Sequence, residues 1–162
     1  FIRYFAQHIA EQITRFPFAI IIAFIFFMFN PQSLWMPNIN ILFLSCISTF
    51  LSFLIQFLLQ SIIACLCFWT EKASSIERLF FIPTLFLSGL LAPVVSFPEY
   101  IKSWIYITPF PYLIDFPANL LSENETNIMA GFTMQILWIL FLFPLFKKIW
   151  SEGTKKYTAM GS

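Results

Sequence analysis

The polar side chains that could do chemistry are few, and most lie in one apolar stretch. Between residues 41 and 69, Ser45, Ser48, Thr49, Ser52, Gln56, Gln60 and Ser61 stand among Phe, Leu and Ile. On a helix turning by about 100° per residue, all but Ser61 fall within an arc of about 120°. Such a stripe belongs against protein or water, because a polar group facing hydrocarbon is costly. Two roles are compatible with it. Ser48, Ser52, Gln56 and Gln60 can line a path or a subunit interface. Alternatively, the hydroxyls bond back to their own helix and the glutamines tie neighbouring helices together.

Catalytic material is scarce. His8 is the single histidine. It sits on the polar side of the first segment, where a solvated role is expected rather than that of a base or ligand. Cys46, Cys65 and Cys67 lie in an apolar run without a CxxC pair or a Cys/His cluster. They are expected to pack rather than bind metal or exchange disulfides. Four glycines hardly make a phosphate-cradling loop, and no HExxH or GxSxG is present. No Asp or Glu lies deep in an apolar run, which argues against a proton relay. Asp115 stands in a stretch bracketed by Pro109, Pro111 and Pro117, where it can cap or anchor an interfacial helix. No catalytic residue, metal ligand or bound cofactor is expected in this chain.

The elements that carry these residues follow from composition. The chain is 59% hydrophobic and 20% aromatic, with 23 Phe, and only 10% is charged. Soluble domains carry roughly 25% charged residues, so the polar surface needed to cover a soluble globule is lacking. A soluble enzyme, a disordered tail and a disulfide scaffold are excluded. A net charge of +1 gives no global field for nucleic acid. An all-α membrane protein remains.

A membrane span needs about 20 mostly apolar residues. About four spans are expected, at 16–30, 41–69, 79–95 and 128–146, in a single transmembrane domain over 1–162. The first is short unless the preceding helix feeds into it. The second runs about 43 Å at 1.5 Å per residue, more than the roughly 30 Å of hydrocarbon, so it tilts, kinks or projects. The third carries Pro83 and Gly89 and is expected to be bent or partial. Residues 96–127 form the longest non-spanning segment. There Pro98, Pro109, Pro111 and Pro117 mix with Trp104, Tyr106 and Tyr112, a composition suited to the headgroup layer and to short interfacial or re-entrant helices.

Residues 1–16 have a helical period. Phe1, Phe5, Ile9, Ile13 and Phe16 share one side, and Arg3, His8, Glu11, Gln12 and Arg15 fill the other. An N-terminal amphipathic helix follows, lying in the interface or packed on neighbouring spans. Because residue 1 is Phe, the chain is expected to be a piece of a longer one.

Charge sets the orientation. With four spans, the first segment, the 70–78 loop and the tail share a side. That side carries Arg3, Arg15, Lys72, Arg78, Lys147, Lys148, Lys155 and Lys156; the other carries only Lys102. The positive-inside rule then puts both ends in the cytoplasm and 96–127 outside. Asn124-Glu125-Thr126 matches a glycosylation sequon on that outer side, a match that arises easily by chance.

The second half carries ordered motifs. The run from Phe68 to Arg78 leads into Ser88-Gly89 with Pro93 four residues on. Phe97-Pro98 follows, then Pro109, Pro111 and Tyr112. In order and spacing these resemble the ABC-2 type permeases of ATP-binding-cassette transporters. There a Ser-Gly-x-x-x-Pro turn ends a span, a Phe-Pro segment opens an external helix, and a Pro-Phe/Leu-x-Tyr motif precedes the last span. The tail 153–162 is similar to the C-terminus of the subgroup once filed as a domain of unknown function. The likeness is best over 68–162 and weaker over 1–67.

The resemblance implies a six-span permease subunit of an ATP-driven exporter in the bacterial inner membrane. It implies pairing with a second permease subunit, identical or not. A separate cytoplasmic ATPase, holding ATP and Mg, would dock on a coupling helix between the second and third spans. The four spans here would be spans three to six, with the coupling helix at or before Phe1. The first helix and Glu71, Lys72, Glu77 and Arg78 are then the candidates for facing the ATPase. Ser88, Gly89, Pro93, Pro98, Pro109, Pro111 and Tyr112 would belong to an external gate. Membrane lipid is an expected partner and nucleic acid is not. Two rivals differ in class. A lipid-modifying membrane enzyme would have only Glu99, Asp115, Glu123 and Glu125 to work with, and no histidine beside them. A structural or assembly membrane protein would have no transport path.

Overall fold

The computed structural model describes residues 38–70, 73–124 and 127–160, together with scattered positions between Ala10 and Phe29. Residues 1–37 and 38–162 form two units. In the first, the described positions are helical, and Phe18, Ile20, Ile21, Ile22, Phe24, Ile25, Met28 and Phe29 are exposed. The expected amphipathic helix at 1–16 falls largely outside the described residues.

In the second unit every regular element among the described residues is helical. The order is α1 (Ile39–Cys65), a 3-10 turn (Leu66–Phe68), α2 (Ala73–Leu87), a 3-10 turn (Val94–Ser96), α3 (Glu99–Ile107), α4 (Asp115–Leu121) and α5 (Ile128–Met160). Helices α1 and α5 are long and apolar enough to cross a membrane, α5 through Lys155. The apolar part of α2, Arg78–Leu87, is shorter.

Local chemistry sets the boundaries. Asn38 caps α1, its side-chain oxygen accepting from the Asn40 amide. The other end of α1 tightens into the 3-10 turn rather than continuing to residue 69. Helix α2 starts at Ala73, ahead of the apolar run, and stops at Leu87 instead of reaching 95. It stops because Gly89 turns to φ 86°, which no right-handed helix accommodates. Pro83 lies within α2 and Pro144 within α5. Each proline withholds one backbone donor, a defect that membrane helices tolerate when neighbours re-satisfy the freed carbonyl. Helix α5 runs on past residue 146, since no proline follows Pro144 and the polar tail is mostly helix-compatible.

The core forms where α1, α4 and α5 meet. Ile55, Leu58 and Cys65 pack with Leu113, Phe116, Leu120, Leu142 and Phe146. The outer faces keep Phe43, Phe50, Leu137, Leu140 and Phe141 exposed. Large apolar side chains facing outward along both long helices suit a hydrocarbon solvent.

Candidate functional site

Of the polar stripe on α1, Ser48 and Ser52 point into the protein and meet Gln135 of α5. Gln135 and Ser48 are fully buried and Ser52 nearly so. The Gln135 amide nitrogen donates to the Ser48 carbonyl at 3.1 Å and the Ser52 hydroxyl at 3.0 Å. It also lies 3.2 Å from the Tyr112 carbonyl, in donating geometry. The Ser48 hydroxyl donates to the Gln135 side-chain oxygen at 3.3 Å. The Ser52 hydroxyl is within reach of two carbonyls, Tyr112 at 2.7 Å and Ser48 at 2.9 Å. Two long helices and the proline-rich segment are thus joined at one buried polar node, where losing a partner leaves others short of one.

The rest of the stripe does not enter the node. Thr49 is exposed and bonds back to the Ser45 carbonyl. Gln56 and Gln60 are half-buried further along α1. The Gln60 side-chain oxygen and the hydroxyls of Ser45 and Ser61 are buried without a hydrogen-bond partner among the described residues.

A second polar cluster lies in the segment after α2. Asp115, buried at the start of α4, accepts from the Val94 amide at 3.1 Å through one oxygen. Through the other it accepts from the Asn119 side chain at 3.0 Å. Its own amide donates to the Ser88 carbonyl at 2.9 Å. A Cβ on Gly89 would lie 2.8 Å from the Asp115 Cβ, so both φ and space require glycine there. One carboxylate therefore clasps the Ser88-Gly89 turn and the turn that Pro93 opens.

The motif residues divide by burial. Ser88, Pro109, Pro111 and Tyr112 are buried. The Tyr112 hydroxyl donates to the Tyr106 carbonyl at 2.9 Å, and the Pro111 carbonyl accepts from the Phe116 amide. Pro93 and Pro98 are exposed and stand at the N-caps of the second 3-10 turn and of α3. Phe110 packs on Phe80 of α2, with ring centroids 5.5 Å apart. The motif is thereby folded onto α1, α2 and α5 rather than left as a loose loop.

Of the residues expected to face an ATPase, Arg78 is exposed on α2. Glu71, Lys72 and the Glu77 side chain lie outside the described residues, as do His8 and the Cys67 side chain. Cys46 is exposed and Cys65 buried. Among the described residues no three His, Cys, Asp or Glu side chains come together to hold a metal.

Two members of the polar clusters have no counterpart in the sequence expectations. Gln135 stands alone in an apolar run, so no periodic partner signals it. Asn119 was detectable only as the residue one turn after Asp115.

The chain matches the family model described as ABC-2 family transporter protein over residues 3–161, including the first 67 where the motifs are weak. Comparison with curated proteins and with solved structures gives no significant match. Members of the matched family are membrane transport components that generally work with an ATPase partner. With its membrane-length helices and its full-length family match, the chain belongs to the ABC-2 transporter family of membrane proteins.

Proposed function

We propose that the chain is a permease subunit of an ATP-driven exporter, forming the substrate path and docking a separate cytoplasmic ATPase. The ATPase supplies the hydrolysis, and a second permease subunit completes the path. The described helices α1, α2 and α5, with the apolar stretch 16–30, make four spans in a bacterial inner membrane, both ends cytoplasmic. Transport proceeds by rocking of the spans, and the segment from Ser88 to Pro117 is the external gate.

The observation that carries this is the node of Ser48, Ser52, Gln135 and the Tyr112 carbonyl. It couples the two membrane-length helices to the gate segment, so a relative shift of the helices must be felt at Tyr112. Gln56 and Gln60, half-buried on the same helix and outside the node, are the polar groups left to line a path.

A second role has its own support. Ser48 and Ser52 are taken up in tying helices together, as a structural or assembly protein without a path would have them. A mild-detergent pull-down of the full-length protein, with mass spectrometry of what accompanies it, separates the two. Co-purification of an ATPase bearing a phosphate-binding loop supports the permease. Its repeated absence from an otherwise intact complex favours the assembly role.

A further inference from the structure

The chain after α2 is tied to α1 deep in the protein, where Ser52 and Gln135 meet the Tyr112 carbonyl. It is tied again at the start of α1, about 15 Å from Ser48 at 1.5 Å per residue. There the Asn38 amide donates to the Glu123 carboxylate at 3.3 Å, across 85 positions of sequence. Both residues are exposed. A carboxylate is favoured at this place, because the first turn of a helix presents unpaired amides and the positive end of its dipole.

The backbone at Glu123 does not suit the residue it carries. Helix α4 ends in a Schellman turn: the Glu123 amide donates to the Leu120 carbonyl at 3.2 Å, and the Asn124 amide to the Asn119 carbonyl at 3.0 Å. The turn sets Glu123 at φ 60°, the one positive φ outside glycine among the described residues. Glycine is the usual residue there, since a Cβ is strained at such a φ. The turn's hydrogen bonds come from the backbone and need no side chain at 123. A strained residue held where glycine would fit points to a use for its side chain, and that side chain reaches α1.

The contact is also cheap to break. Without it, Asn38 still caps α1 through the Asn40 amide at 3.4 Å, and the Schellman turn still closes α4. Being exposed, the parted groups turn to water. The buried Ser48, Ser52 and Gln135 node has no such substitute. The exposed tie can therefore open while the buried one holds.

We propose that Glu123 is a latch: its carboxylate holds the end of α4 on the start of α1, and it lets go as the segment swings about the Gln135 node. This rests on reading the segment from Ser88 to Pro117 as a gate.

The test places spin labels, carried by unnatural amino acids, at the exposed Phe43 and Leu121 of the full-length protein. Glu123→Gln keeps an oxygen for the Asn38 amide and should keep the wild-type distance. Glu123→Ala and Glu123→Gly should each raise a longer-distance population about fivefold. Glu123→Ala keeps the strain and should melt below wild type, whereas Glu123→Gly relieves it and should melt at or above wild type. In the complex with its ATPase, trapping with vanadate should move the wild type to the longer distance. Unchanged distances in the Ala and Gly variants overturn the latch, and so does a trapped wild type that stays at the short distance. Equal melting losses for Ala and Gly make Glu123 a structural cap and overturn it too. If no ATPase accompanies the chain, the permease reading fails, and the distances and melting order of the variants still decide the latch.

Discussion

Gln135 and Tyr112 meet across the core: the Gln135 amide lies 3.2 Å from the Tyr112 backbone carbonyl, on a side chain with no solvent exposure. Tyr112 belongs to the proline-rich segment, and Gln135 is two turns inside α5. A buried backbone carbonyl of an irregular segment needs a donor within the protein. The Ser52 hydroxyl at 2.7 Å and the Gln135 amide at 3.2 Å are both within donating reach of it, and Gln135 also meets Ser48.

Removing that donor should be expensive. Gln135→Leu keeps most of the volume but takes the acceptor from the Ser48 hydroxyl and a donor from Ser52 and Tyr112, which keep the bond between them. Interhelical hydrogen bonds in membranes average about 0.6 kcal/mol, whereas an orphaned buried polar group costs about 1–3 kcal/mol. Because several groups lose one shared partner, a loss of about 1–3 kcal/mol is expected, against less than about 1 for Thr49→Ala on the exposed face. Denaturant unfolding in mixed micelles measures both. Equal losses would show that the node is energetically ordinary.

Ser48 and Ser52 were legible in the sequence because the α1 stripe is periodic, and period reports which face avoids lipid. It does not report what the face meets. Gln135 escaped for that reason: its partners lie 83 and 87 positions away in sequence. Asp115 was visible as a capping or anchoring residue, yet its bond to the Val94 amide depends on how the Gly89 turn folds back. The helices themselves were legible from apolar length, and their ends less so. Helix α2 ends at a glycine turn, not where hydrophobicity ends.

The Asp115 clasp predicts a graded series. Asp115→Asn retains an oxygen for the Val94 amide and should cost little. Asp115→Leu leaves that amide buried without an acceptor and should cost about 1–3 kcal/mol. Thermal unfolding in detergent ranks the two. Similar melting temperatures would mean that the carboxylate oxygen contributes nothing to the turn.

Gly89 gives a coupled prediction. Gly89→Ala meets a left-handed φ, costing about 1–2 kcal/mol, and a close contact with the Asp115 side chain. In an Asp115→Gly background the side-chain contacts at 2.8 and 2.9 Å vanish, while the backbone Cα at 3.3 Å and the φ strain stay. The cost of Gly89→Ala should therefore shrink there without disappearing. An unchanged cost would assign the whole effect to φ.

Transport should separate from assembly at Gln56 and Gln60. Both lie outside the polar node, so Gln56→Leu/Gln60→Leu should leave expression and ATPase co-purification intact. If they line the path, vesicle transport should fall at least tenfold once a substrate is found. Stimulation of the partner ATPase by the reconstituted complex offers a readout before then. Unchanged transport would remove these glutamines from the path.

Close packing of α4 on α5 supplies the last test. A Cβ on Gly131 would collide with the ring of Phe116, a core residue that also stacks edge-on with Phe132 at 5.6 Å. Rings held between two helices cannot retreat cheaply, so Gly131→Ala should destabilise by about 1–3 kcal/mol. Phe116→Leu alone should also destabilise, by loss of contact and a residual cavity. Together they should cost less than their sum, because the smaller side chain vacates the space that the new methyl takes. Such compensation would establish that α4 rests on α5 at Gly131 in the membrane. Strict additivity would place Phe116 elsewhere and separate the proline-rich segment from the helix whose Gln135 holds it.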